Sequence, residues 1–182
     1  VMKIVARTIR KTLALVACLC LVGATASVSD ASNRGSKLGS RDIEKLVSPI
    51  ALYPDPLLRA ILPASTFPDQ IADAALLIRE KSDAELIDDQ TWDGSVKVIA
   101  GYPGVLKMMY EKLDWTTKLG EAFLNQNEDV MKGIQRMRGK AADVGNLKSS
   151  PEQKVTTETG SGGETIIKIE PATQVVYVPQ TT

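Results

Sequence analysis

Between Ile50 and Ile78 an aromatic residue is twice followed by Pro-Asp and then by an apolar run: Tyr53-Pro54-Asp55 and Phe67-Pro68-Asp69. Tyr102-Pro103-Gly104 is a third, degenerate copy. Proline disfavours helical backbone in the residue before it and lacks the N–H that an interior helical position needs. The repeat therefore forbids one continuous helix here and demands several short ones. In the first copy Asp55 is placed as an N-cap, accepting from the orphan N–H groups of the first turn, with Pro56 at N1 where a missing donor costs nothing. Tyr53 or Pro54 can lie back on that turn as a hydrophobic staple. The spacing predicts a helix over Pro56–Leu62, stopped at Pro63, and a second over Gln70–Glu80 capped by Asp69. Ile71, Ala74, Ala75 and Ile78 recur at helical spacing, with Leu77 beside them.

The flanking segments follow the same period. Arg41–Val47 carries Ile43, Leu46 and Val47 and ends at Pro49. Ser82-Asp83-Ala84-Glu85 is a capping-box sequence that starts a short helix. Trp92-Asp93-Gly94-Ser95 makes a turn before a helix over Ser95–Ala100, and Tyr102-Pro103-Gly104 opens one over Val105–Lys112. The longest predicted element runs from Trp115 to Val144, capped by Asp114. Its stripe is Trp115, Leu119, Ala122, Phe123, Val130, Ile134, Met137, Ala141 and Val144. Gly120, Gly133 and Gly139 weaken it by up to about 1 kcal/mol each. They imply either close backbone packing or a break near Asn125-Gln126-Asn127. Gly145-Asn146 is a helix stop.

After Pro151 the period changes from 3.6 to 2. Lys154–Thr159 and Glu164–Glu170 read as strands around the loop Gly160-Ser161-Gly162-Gly163, and Gln174–Val178 as a last strand. The expected fold is mainly α: short helices around one long helix, with a small C-terminal antiparallel β-hairpin or meander, a helix-dominated α+β domain. A lone hairpin is marginal in water, so it should pack on the helices. The expected organisation is a signal peptide over 1–26, a Ser/Gly/Asn-rich tether over 27–40, the helical domain over 41–150 and the β segment over 151–182.

The N-terminus has the parts of a secretory signal: Lys3, Arg7, Arg10 and Lys11, then apolar Leu13–Ala26 ending in Ala24-Thr25-Ala26. A transmembrane anchor needs a longer apolar run, about 20 residues. Leu15-Val16-Ala17-Cys18 also has the shape of a lipobox, which makes Cys18 a candidate lipidation site. Periplasmic or secreted export is the expectation, with a lipid-anchored envelope protein as the alternative. Membrane association is expected only if Cys18 is lipidated.

Composition narrows the chemistry. There is no histidine, and the two cysteines, Cys18 and Cys20, lie in the signal segment. The mature chain is therefore expected to lack His bases, Cys nucleophiles, disulfides and the usual zinc ligands. The whole chain is neutral, with 22 basic and 22 acidic residues. Removing the four signal-segment cations leaves 18 basic against 22 acidic, a net charge of about −4, which gives no reason to expect a nucleic-acid partner.

Each possible reactive cluster has a plainer explanation. Asp88, Asp89 and Asp93 precede Gly94 but lack the spacing of an EF-hand and read as a solvated acidic turn. Asp55 and Asp69 could converge as a glycosidase pair, yet each has a structural use at a helix start. Ser95 has no His to activate it, and a Ser–Lys dyad with Lys97 or Lys118 is the remaining arrangement. Gly160–Gly163 lacks the lysine and helix of a phosphate-binding loop. Trp92, Trp115, Tyr53, Phe67 and Tyr102 either anchor the core or stack on a partner, and helix-end anchoring is the expected role.

Several segments resemble a bacterial family of exported proteins known only as domain of unknown function 3300. They are Leu46–Leu58 (L-V-S-P-I-A-L-Y-P-D-P-L-L), Thr66–Ile71, Trp92–Lys97, Asp114–Leu124, Asp129–Arg138, Gly145–Ser150 and Val175–Pro179. The resemblance implies an envelope protein with a helical domain and a short β-rich end, and it implies no activity. Family members look to continue past Tyr-Val-Pro into a further Tyr/Pro-rich stretch, so the extension is expected to be absent here or the sequence to be cut short of it.

The sequence thus assigns no catalytic, cofactor-binding or metal-binding residue, and no cofactor. It favours a non-catalytic envelope protein with a binding, scaffold or assembly role, its partner an envelope protein or glycan. The candidate surface is Tyr53, Trp92 and Trp115, with Val176, Tyr177 and Val178 on a last strand whose edge could accept another chain. The alternative is an envelope-glycan hydrolase or lyase using Asp/Glu acid–base chemistry.

Overall fold

The structure is a computed structural model that describes residues 37–80 and 85–172. Its elements are α1 (Ser40–Val47), α2 (Asp55–Ala64), α3 (Pro68–Glu80), α4 (Glu85–Asp88), α5 (Gly94–Ala100), α6 (Pro103–Glu111), α7 (Leu113–Asn125), α8 (Asn127–Asp143), β1 (Gln153–Thr159) and β2 (Thr165–Pro171). This is the helix-dominated α+β fold expected, with an antiparallel hairpin after the helices. The expected strand at Gln174–Val178, with Val176, Tyr177 and Val178, lies outside the described residues, as do Cys18 and most of the 82–85 capping box.

The proline-delimited helices form near their expected limits, except that α2 runs through Pro63 and ends at Ala64, because a proline in the last turn forfeits only one helical bond. Their first turns are also built differently. Helix α2 begins at Asp55, with Pro54 as N-cap and no side-chain cap bond. Helix α3 begins at Pro68, which places Asp69 inside its first turn. Asp114 likewise sits in the first turn of α7, whose N-cap is Lys112. The aspartates thus meet the positive end of the helix dipole rather than a single N–H. Asp93 does cap, accepting from the Ser95 N–H at 2.8 Å at the start of α5.

The long element expected over Trp115–Val144 is two helices, α7 and α8, divided at Gln126. Gln126 leaves helical backbone at φ −143°, ψ 40°. Its side chain is buried and grips the Leu38 backbone from both sides. Oε1 accepts from the Leu38 N–H at 2.8 Å, and Nε2 donates to the Leu38 carbonyl at 3.2 Å. Helix α8 ends in a Schellman motif: Gly145, at φ 75°, donates to Ala142 and Asn146 donates to Ala141.

The main core joins all the longer helices. Ile43, Val47, Ile50, Ile61, Ile71, Ile99, Met109, Leu119 and Val130 are fully buried in it. Close backbone approach is needed at two points. A Cβ on Gly120 would lie 2.6 Å from the Ser65 carbonyl carbon, so α7 crosses the end of α2 backbone to backbone. A Cβ on Gly133 would lie 2.6 Å from Ile43 Cγ2, where α8 crosses α1. Gly139 meets nothing within 4 Å.

The hairpin pairs Val155 with Ile169 and Thr157 with Ile167. Ile167 and Ile169 face a small second core with Leu147, Ala141, Ala142 and Val155.

The close approach at Gly120 gives a paired prediction. Gly120→Ala should lower unfolding free energy by about 1–3 kcal/mol, because the obstacle is backbone and cannot rotate away. Gly139→Ala should raise it by up to about 1 kcal/mol, since open space leaves only the helix-propensity gain. Urea unfolding of both variants at an unchanged m-value is the check.

Candidate functional site

The most deeply buried charged group is the Arg138 guanidinium, on α8 and 1% exposed. It lies one helical turn beyond Ile134, at a position the apolar stripe would reserve for a hydrophobe. Nε donates to the Ala51 carbonyl at 2.9 Å and Nη2 to the Tyr53 carbonyl at 3.0 Å. Nη1 donates to the Ile167 carbonyl at 2.8 Å and pairs with Asp55 Oδ1 at 2.7 Å. One side chain therefore ties together the α1–α2 turn, the start of α2 and the hairpin. A buried guanidinium is tolerable only when paired and hydrogen-bonded, and this one is both. Asp55, expected to cap α2, is its counter-ion.

Two other side chains close the hairpin edges. On the β2 side, the Gln135 amide accepts from the Ile167 N–H at 2.8 Å and donates to its carbonyl at 3.2 Å. On the β1 side, Ser149 Oγ accepts from the Val155 N–H at 2.9 Å and donates to its carbonyl at 3.2 Å. Each replaces the strand that would otherwise pair there, so β2 at Ile167 and β1 at Val155 are closed to added chains.

The expected surface aromatics are placed as follows. Trp115 packs on the core, and its indole N–H donates to the Leu46 carbonyl at 2.8 Å, satisfying an orphan acceptor in the last turn of α1. Trp92 and Tyr53 are also half-buried against the core, as is Phe67. Tyr102 differs from them, being 49% exposed. The aromatic-Pro-Asp repeat thus packs inward in its two full copies and outward in the degenerate one.

The acidic candidates separate. Asp55 is engaged by Arg138, whereas Asp69 is exposed in the first turn of α3. Asp93 is occupied by Ser95 and its own N–H donates to Gln70 Oε1 at 2.7 Å, while Asp88 and Asp89 are exposed. Ser95 Oγ donates to Asp93 rather than facing Lys97, whose ammonium donates to the Asp88 carbonyl at 2.8 Å. Hydrogen bonds from the Ser95 hydroxyl and then its N–H hold the Asp93 carboxyl below the usual range, opposed by partial burial. On the α1–α8 face, Lys140 and then Arg136 hold Glu44 below its usual range, with Arg136 Nε at 2.6 Å. Among the described residues, no three His, Cys, Asp or Glu side chains gather as a metal site.

A groove between α3 and α6, about 360 Å³ in volume, forms a concave surface. Ala75, Ile78 and Leu106 are its apolar lining, with Pro103 and Tyr110 on the α6 side. Arg79, Lys107 and Glu111 supply its charges. Pro103, Lys107 and Glu111 recur every four residues and so share one stripe of α6. Periodicity alone marks Ala75 and Ile78 as apolar positions. That they face α6 is a tertiary fact that no local pattern carries.

The molecule is therefore a helical framework with a clamped hairpin and a shallow apolar groove between α3 and α6. The profile of the family described as "Protein of unknown function (DUF3300)" matches residues 39–181, and the chain belongs to that family. It is similar to the "Uncharacterized protein YacH" of Escherichia coli (strain K12), 36% identical over 178 residues, covering 79% of this chain and 29% of that protein. The chain thus spans under a third of the length of that relative. No solved structure matches it. Among the described residues no helix is long and apolar enough to cross a membrane.

Two predictions follow from the polar contacts. Arg138→Met fits the volume but strands three carbonyls and Asp55, and should cost about 3–5 kcal/mol by denaturant unfolding. Its Ile167 and Ile169 amides should also exchange with solvent faster than those of α7. For Asp93, the folded carboxyl titrates below its unfolded value. Its stabilisation is full above the unfolded pKa and is lost as pH falls through the folded one. Asp93→Ala should therefore be less stable than the parent by about 1 kcal/mol at neutral pH, with the gap narrowing in acid.

Proposed function

We propose that this chain is an exported, non-catalytic protein of the bacterial envelope with a binding or assembly role, and that the α3–α6 groove is its binding surface. The observation that carries the reading is the contrast between the groove and the rest of the polar machinery. The buried polar groups, Arg138, Gln126, Ser65 and Thr116, all bond to backbone, and no buried side-chain N or O among the described residues lacks a partner. They serve the scaffold. The groove is apolar and concave, and its exposed charges are at hand for a ligand.

Export is supported by the signal-type pattern of Lys3–Ala26. The expected mature chain begins at Ser27, and a diacylated N-terminal Cys18 is the lipid-anchored alternative. The hydrolase or lyase alternative needs two available carboxyls on opposite sides of a cleft, and Asp55 is already the counter-ion of Arg138.

Three measurements test the reading. Mass spectrometry of the chain expressed with its leader should find Ser27 at the N-terminus. Pull-down from a solubilised envelope extract should recover a partner with the parent chain, and recover it poorly with Tyr110→Ala or with Arg79→Glu/Lys107→Glu. Equal recovery by the groove variants would remove the groove from the proposal. Release of soluble fragments from purified peptidoglycan by the mature chain would replace the binding role with catalysis.

A further inference from the structure

We infer that the groove takes an extended peptide segment of a partner protein that combines an aliphatic or aromatic side chain with a neighbouring carboxylate. This deepens the proposed function and rests on its assignment of the groove as the binding surface. The apolar side chain seats on Ala75, Ile78 and Leu106, with Tyr110 and Pro103 as the α6 wall. The carboxylate lies between Arg79, in the last turn of α3, and Lys107, in the middle of α6.

The charges argue for this chemistry. Lys107 meets Glu111 at 3.8 Å, with the two side chains 73% and 58% exposed. An exposed i,i+4 pair at that distance contributes little, so it yields readily to a carboxylate that also gains Arg79. No ion pair of Arg79 occurs among the described residues. Among the lining residues the balance is two cations to one anion, complementary to an acidic ligand and opposed to a basic one.

Size and lining argue for a peptide. A volume of about 360 Å³ is at the small end of ligand sites, suited to one or two side chains of a segment lying across it. A glycan site rich in planar amide and carboxylate groups can fork onto sugar hydroxyls. Here the lining has no Asn, Gln or Asp and a single Glu. Tyr102, half exposed, immediately precedes Pro103 and offers further aromatic surface at that end.

The test is a two-dimensional amide NMR titration of the mature chain with five probes. These are a hexapeptide of Asp and Glu around a Leu-Phe pair, the same peptide with Lys for each acid, the acidic peptide with Ser-Ser for Leu-Phe, a muropeptide, and phosphatidylglycerol vesicles. The expected result is saturable shifts at Ala75, Ile78, Lys107 and Tyr110 with the first probe alone. Arg79→Glu/Lys107→Glu, exposed changes that leave the fold intact, should weaken that peptide about tenfold and favour the lysine version. Equal binding of the acidic and basic apolar peptides overturns the charge assignment and leaves the groove as a binding surface. Groove shifts with the muropeptide or the vesicles, and not the peptides, overturn the occupant on the same terms. Shifts confined elsewhere, or none with any probe, overturn both this inference and the groove's place in the proposed function.

Discussion

The fold turns on one buried cation. Arg138 presents a rigid fork of donors to three carbonyls and a carboxylate, and the acceptors come from separate segments. Such a site does more than stabilise. It sets the angle between α8 and the α1–α2 turn, because a planar guanidinium satisfies all four acceptors in only one arrangement. It also gives the hairpin a place to dock that its small apolar face alone would define poorly.

The same device recurs in neutral form. Gln126 on Leu38, Gln135 on Ile167 and Ser149 on Val155 each answer both polar groups of one backbone residue. The helices cannot supply that pairing, since their own backbone bonds are internal, so side chains act as substitutes for a missing strand. The consequence is a short hairpin with edges closed at its buried end. Strand addition at Ile167 and Val155 is thereby closed off.

Much of the fold was legible because its rules are local. Proline and glycine set the helix limits at Pro54, Pro68, Pro103 and Gly145, and the change of period marked β1 and β2. The first-turn aspartates were placed one or two positions wrong for a related reason. An Asp beside a proline is consistent with N-cap, N1 or N2, and the choice depends on what else its carboxylate meets. For Asp55 that is an arginine far along the chain; Tyr53, two residues earlier, is 85 residues from it. A signal for Arg138 was present: it falls four residues after Ile134 and three before Ala141, on the buried stripe. A charge at a core position asks for a partner, but periodicity cannot name it.

By itself the sequence determined the order and approximate limits of most elements, the α-then-β organisation and the absence of His chemistry. Tertiary structure decided which partners those elements chose. It turned Asp55 from a cap into a counter-ion, divided the last long helical run at Gln126, and brought Ala75, Ile78 and Arg79 against Leu106, Lys107 and Tyr110. The reason is physical. Helix starts and stops depend on bonds within a few residues, whereas ion pairs, edge closure and grooves depend on surfaces that meet only after the chain has packed.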